Sequence, residues 1–135
     1  MIKHVGSVCV FVSDHQRAKS FYLEQLGMEL RQEDEMPDDS GDVWISVAPP
    51  GESTEIVLYK QGHPAWSHYE STYGAVQSIT LSTEDLTATV RELRSRGVKI
   101  SQEPAEHQWV ALPSSKIVKA THSSLSNPIL NRLDC

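Results

Sequence analysis

The sequence is poor in cysteine, in basic charge and in long apolar runs. Only two cysteines occur among 135 residues. Cys9 and Cys135 sit at opposite ends, which excludes a disulfide-stapled scaffold. Cys9 lies within an apolar strand pattern and is read as a buried free thiol. Twelve Lys and Arg against 18 Asp and Glu give a formal charge of -6. That is the wrong sign for a general binder of nucleic acid or anionic membrane, both of which call for clustered Lys and Arg. A small-molecule ligand remains compatible. No run approaches the ~20 apolar residues of a membrane span. Met1 to Val5 leads into a strand pattern with neither the apolar stretch nor the small-residue cleavage site of an export signal. The cytoplasm is the expected address. A chain of this length is one domain's worth, and 39% hydrophobic residues suffice for a core.

What is present is a repeated phrase. Val8 to Val12 reads as a buried strand, β-branched and aromatic. Ser13-Asp14 is a helix N-cap signal. Ala18, Phe21, Tyr22, Gln25 and Leu26 follow helical spacing, and Gly27 stands where a left-handed residue ends a helix. Met28 to Arg31 resumes as a strand. Val43 to Val47 and Glu55 to Tyr59 are two more, joined by the turn Pro49-Pro50-Gly51. Met36 to Asp42 is an acidic loop, and Gln61 to Gly74 a linker. The phrase then recurs. Val76 to Ser82 alternates as a strand, Thr83-Glu84-Asp85 caps a helix carrying Leu86, Val90 and Leu93, Gly97 closes it, and Val98 to Ile100 starts another strand. Two β–α–β units of matched size suggest a duplicated module, with a right-handed crossover in each.

Val12-Ser13-Asp14 with Ala18, Phe21-Tyr22 and Leu26-Gly27 resembles the first module of the vicinal-oxygen-chelate superfamily, the glyoxalase/bleomycin-resistance/dioxygenase proteins. Trp44 to Gly51 is similar to its third strand and turn in one bacterial subgroup. Glu84-Asp85-Leu86, Leu93, Arg96-Gly97-Val98 and Glu103-Pro104 resemble the opening of its second module. The resemblance spans roughly residues 5–104. It implies an α+β fold of two βαβββ modules whose sheets curl into half-barrels around a ligand cavity. The expected organisation is one domain over 1–135, with module one at 1–60, a linker at 61–75 and module two at 76–135.

The C-terminal end of the second module departs from that pattern. The family's closing Asp-x-x-Gly-Asn turn and last apolar strand are missing after Trp109 to Ser115. The neighbouring reading frame can encode them. In that frame Trp109-Val110 forces Gly, Gln108-Trp109 permits only Met or Val, Lys116-Ile117 only Asp or Asn, and Lys119-Ala120 only Gly or Ser. Ser115 to Pro128 admits Gln-Asp-Ser-Glu-Gly-Asn-Thr-Phe-Val-Leu-Val-Glu-Pro. We therefore expect a one-base frameshift near Glu106–His107, with residues 107–135 an altered tail; a divergent but genuine tail is the alternative. Such a loss leaves neighbouring strands short of backbone partners. Trp109 to Leu112 and Lys116 to Ala120 are candidate makeshift strands.

A catalytic metal requires three or four converging His, Asp or Glu side chains and an open position. Counting back from Asp14, the family's first ligand position falls on Ser7. The second falls on Val57 and the third on Ser78; the fourth lies in the missing strand. Ser, Val and Ser do not hold a divalent transition metal, so no metal cofactor is expected. His4, His63 and His68 are read as surface residues, and Glu55 as a solvated strand end that shares the parity of Val57. The leading expectation is a protein similar to bleomycin-resistance proteins, binding a small molecule, without a catalytic metal, in a cavity often at a homodimer interface. Ser7, Cys9, Val57, Tyr59, Ser78 and Thr80 would line it. Trp44 and Trp66 are candidates to stack on a planar ligand, with Trp44 equally a core or dimer-face residue. The rival readings are a divalent-metal-dependent glyoxalase-like lyase or dioxygenase, and a frameshifted product of impaired function.

Overall fold

Val10, Phe11 and Val12 form the buried end of the first strand, β1 (Ser7–Val12), in a computed structural model of the chain. The structure describes residues 1–72, 79–100, 116–120 and 133–134. It divides into two units, Met1–Tyr73 and Gly74–Cys135.

In the first unit, β1 is followed by helix α1 (His15–Ser20), a π-helical turn over Phe21–Gln25, and strands β2 (Glu29–Glu35), β3 (Val43–Ala48) and β4 (Glu55–Lys60). The helix begins where the cap signal placed it. The Asp14 side chain accepts a hydrogen bond from the Arg17 amide at 2.9 Å, satisfying one of the first-turn donors that lack an intrahelical partner. Gly27 ends the segment at φ 71°, a conformation that costs glycine little. The sheet order is β1-β4-β3-β2. β1 runs parallel to β4, and the other pairs are antiparallel. Hence the chain crosses over through α1 before the three later strands fill in as hairpins.

Alternation sends Val10, Val12, Ile45, Val47, Ile56 and Leu58 to one face of this sheet. There α1 packs on β3 and β4, with Ala18 and Tyr22 buried among them. Each such aliphatic side chain contributes about 1.5–3 kcal/mol by leaving water. His15, also buried, donates its Nε2–H to the Leu58 carbonyl at 2.8 Å and ties the helix to β4.

Four expectations need correction. β1 is buried only over Val10–Val12; Val8 is 39% exposed and Cys9 is an exposed free thiol rather than a buried one, because β1 is the end strand of its sheet. β2 continues past Arg31 to Glu35 and is exposed throughout. It is the other end strand, and its Gln-Glu-Asp-Glu run offers no apolar alternation to read. The linker contains a 3₁₀ segment, Pro64–Thr72, interrupted at Trp66. Val98 to Ile100 is not in a strand.

The second unit repeats the opening. Strand β5 (Ile79–Thr83) leads to helix α2 (Leu86–Ser95), whose Asp85 accepts from the Ala88 amide at 3.0 Å. Val90 and Leu93 are buried, and Gly97 closes the helix at φ 81°. Lys116–Ala120 does form a strand, β6, antiparallel to β5, and a short β7 (Leu133–Asp134) pairs with it. Val76 to Ser78 and Trp109 to Leu112 lie outside the described residues. The class is α+β with a βαβββ first module. Among the described residues no helix is long and apolar enough to cross a membrane.

Candidate functional site

The face of the first sheet turned away from α1 carries the candidate site. The register sets its side chains in rows. Ser7 stands opposite Glu55. Cys9 stands opposite Val57, Val57 opposite Ser46, and Ser46 opposite Gln32. Phe11 stands opposite Tyr59, and Trp44 opposite Asp34. Directly opposed residues share a face, so the third row is aromatic. Tyr59 lies 5.7 Å from both Phe11 and Trp44 between ring centroids, at 66° and 58°, within the range of favourable edge and tilted contacts. Phe11 also meets Tyr69 at 5.7 Å. Partial burial raises the Tyr59 phenol above its ordinary pKa, and nearby Cys9 and Tyr69 add to the shift.

Trp66 belongs to this cluster in a different way than expected. It is 7% exposed and stacks on Tyr59 at 4.3 Å and 6°. Its indole N–H donates to the Lys60 carbonyl at 2.7 Å. Trp44 is half-buried, and Tyr59 is its ring partner among the described residues.

His63 is a second correction. It is 2% exposed, not a surface residue, and its ring rests 4.6 Å from Trp66. The Ala65 amide donates to Nδ1 at 3.1 Å, so the ring proton sits on Nε2. Nε2 faces Asp38 Oδ2 at 2.9 Å and Ser40 Oγ at 3.2 Å. Lys60 pairs with Asp42 at 2.5 Å. These contacts latch the acidic loop between β2 and β3 to the segment that carries Trp66. Hydrogen bonds from Ser40 lower the Asp38 pKa, and the adjacent His63 adds to the effect. The polarity of Met36 to Asp42 gave no sign of this; the buried His-carboxylate contact needs the tertiary approach of two loops. His4 and His68 are exposed, as expected.

Of the residues expected to line a cavity, Ser7, Cys9, Trp44, Val57 and Tyr59 share this one face. Ser7 and Cys9 are exposed, Trp44 and Tyr59 half-buried, and Val57 buried. Thr80 lies in β5 opposite Lys119. Ser78 is outside the described residues. Two residues were missed, Phe11 and Ser46. Both follow from parity alone, Phe11 from Ser7 and Cys9, Ser46 from Trp44. Ser46 is fully buried, and its Oγ has no hydrogen-bond partner among the described residues.

Neither mapped position within the described residues carries a His, Asp, Glu or Cys side chain to hold a divalent metal. The two mapped positions within the described residues are Ser7 and Val57, and the register shows them one pair out of step. Ser7 faces Glu55. Among the described residues no group of three or more His, Cys, Asp or Glu converges.

Comparison with known proteins places the chain. The family model of the Glyoxalase/Bleomycin resistance protein/Dioxygenase superfamily matches residues 2–113. The uncharacterized protein YetH of Bacillus subtilis (strain 168) is 31% identical over 109 residues, 81% of this chain and 85% of that protein. Among solved structures, TnmS3, an antibiotic binding protein from Streptomyces sp. CB03234, is 32% identical with a TM-score of 0.62, covering 80% of this chain and 81% of its own. A superfamily member from Sphaerobacter thermophilus DSM 20745 is 26% identical with a TM-score of 0.64, covering 87% and 86%. With a cap-to-glycine repeat matched to within one residue, the βαβββ strand order and these matches in hand, the chain belongs to the Glyoxalase/Bleomycin resistance protein/Dioxygenase superfamily.

Proposed function

We propose that this protein binds a planar small molecule on the aromatic face of its first sheet, without a catalytic metal. The observation that carries the reading is the row Phe11–Tyr59–Trp44, braced by Trp66, on the face where metal-dependent relatives would present ligands. Here the mapped positions are Ser7 and Val57, so the face offers stacking area and a few polar groups instead of a Lewis acid. Such a mix suits small-molecule sites generally. The likeness to TnmS3, described as an antibiotic binding protein, supports a sequestering role over turnover. The same reading has the protein act as a cytoplasmic homodimer. Support for the second copy comes from Met1, Ile2, Val5 and Val8, exposed apolar residues at the start of an end strand.

Isothermal calorimetry with acridine, a planar tricyclic probe, tests the binding. Saturable heat is expected for the native chain, and Trp44→Ala should weaken binding about tenfold or more, the scale of losing a central aromatic anchor. Equal affinity in Trp44→Ala would overturn the assignment of the face. Elemental analysis of the purified protein tests the metal-free part, which stoichiometric nickel, zinc, iron or manganese would contradict.

A further inference from the structure

We infer that Ser46 is the polar anchor of this site, and that the ligand class is a planar aromatic bearing a hydroxyl or carbonyl group. The inference rests on the aromatic face being the binding face. Ser46 lies in the middle of β3 and is fully buried, yet its Oγ has no hydrogen-bond partner among the described residues. A hydroxyl both donates and accepts. Burying one without a partner is unfavourable, and an alanine or valine would fill the same floor at lower cost. A hydroxyl kept in that position has a use once a partner arrives.

Its place in the sheet defines what that partner is. Ser46 is two residues from Trp44 on one strand, so their side chains leave the same face roughly 7 Å apart. Val57 lies beside Ser46 on β4, and Gln32 beside it on β2. Gln32 is exposed, and its amide donates to Asp34 on its own strand at 2.6 Å. A ligand ring stacked on Trp44 and extending along the strand brings an oxygen substituent to Ser46 Oγ. Val57, apolar and buried, favours a flat hydrocarbon edge beside it and offers that oxygen no competing partner.

The matched pair 2-naphthol and 2-methylnaphthalene tests this, since the two differ by a hydroxyl in place of a methyl. Affinities are measured by calorimetry for the native chain and for Ser46→Ala, with thermal melts of both. The native chain is expected to prefer 2-naphthol about fivefold, one hydrogen bond's worth. In Ser46→Ala that ratio falls to about one, binding of 2-methylnaphthalene is kept, and the melting temperature is unchanged or raised. An unchanged ratio in Ser46→Ala overturns the anchor while the binding face stands. A marked loss of stability in Ser46→Ala also overturns it, since the hydroxyl would then serve the fold. Failure of both probes to bind the native chain removes the binding face and the anchor together.

Discussion

Asp14 and Asp85 each accept a hydrogen bond from the amide three residues on, at 2.9 and 3.0 Å, and Gly27 and Gly97 end their helical segments at φ 71° and 81°. Up to that point the two units run in step. They part at the sheet. The opening strand of the first unit, β1, has a parallel partner, β4. The opening strand of the second, β5, has an antiparallel one, β6, built from Lys116–Ala120. A βαβββ module needs its fourth strand beside its first and parallel to it. In the first unit Glu55–Lys60 fills that role with Ile56, Val57 and Leu58 buried. In the second, the strand beside β5 comes from Lys116–Ala120, the segment where the alternate reading frame can encode the family's turn. The lesson is that a strand–cap–helix opening is specified locally, and the partner that completes a module is specified only by the residues that arrive there.

The comparison can be broken or sharpened by four measurements. The largest effect is expected in the first core. Ile45→Ala, at a fully buried position between α1 and the sheet, should destabilise by about 4 kcal/mol, and Leu93→Ala on α2 by only about 2 kcal/mol. Denaturant melts of the two variants decide it, and equal losses would mean that the second unit is as firmly closed as the first. Next, a gene whose ending is restored to the alternate frame should encode a chain more stable by about 3 kcal/mol, the gain from two or so buried aliphatic side chains. That corresponds to a rise of roughly 10 °C in melting temperature. Unchanged stability, or source-gene sequencing that finds no Asp-x-x-Gly-Asn codons in that frame, would return the tail to a genuine divergent ending.

Smaller effects test what the units share. Asp14→Ala and Asp85→Ala each remove one cap and should each cost about 1 kcal/mol, measured as midpoint shifts in urea. A cap that matters in one unit and not in the other would undo the idea of a repeated opening. The smallest effect concerns the latch beneath the aromatic row. Asp38 has a folded-state pKa below its ordinary 3.8. Its contribution is therefore complete above that value and fades as pH falls below it, through the folded pKa. The expected sign is a change in Trp66 emission on acidification below pH 3.8 that is absent in Asp38→Asn.

Much of this was legible because it is local. Asp14, Gly27, Asp85 and Gly97 act through their own backbone neighbourhoods, and the parity of Ser7, Cys9, Val57 and Tyr59 places them on one face once strands are assumed. What escaped depends on which strands stand at the ends of a sheet and which loops meet. Cys9 reads as buried from its neighbours Val8 and Val10, and it is exposed because nothing in the described structure pairs the outer edge of β1. β2 is a strand because β3 lends it hydrogen bonds, not because Glu29–Glu35 has a strand's pattern. His63 reads as a polar linker residue and is buried by Trp66 on one side and the Asp38 loop on the other. Trp66 looked available for a ligand for the same reason; its partner Tyr59 lies on another element. Parity with Trp44 gives the face of Ser46, but its burial without a hydrogen-bond partner among the described residues depends on the strands packed around it.

The role of the first sheet's aromatic face is tested most directly by backbone amide shifts in ¹H–¹⁵N spectra as acridine is added. The account predicts saturable changes centred on Cys9, Trp44, Ser46, Val57 and Tyr59, with α2 undisturbed. Changes centred on α2, with the β3 and β4 amides unmoved, would contradict it.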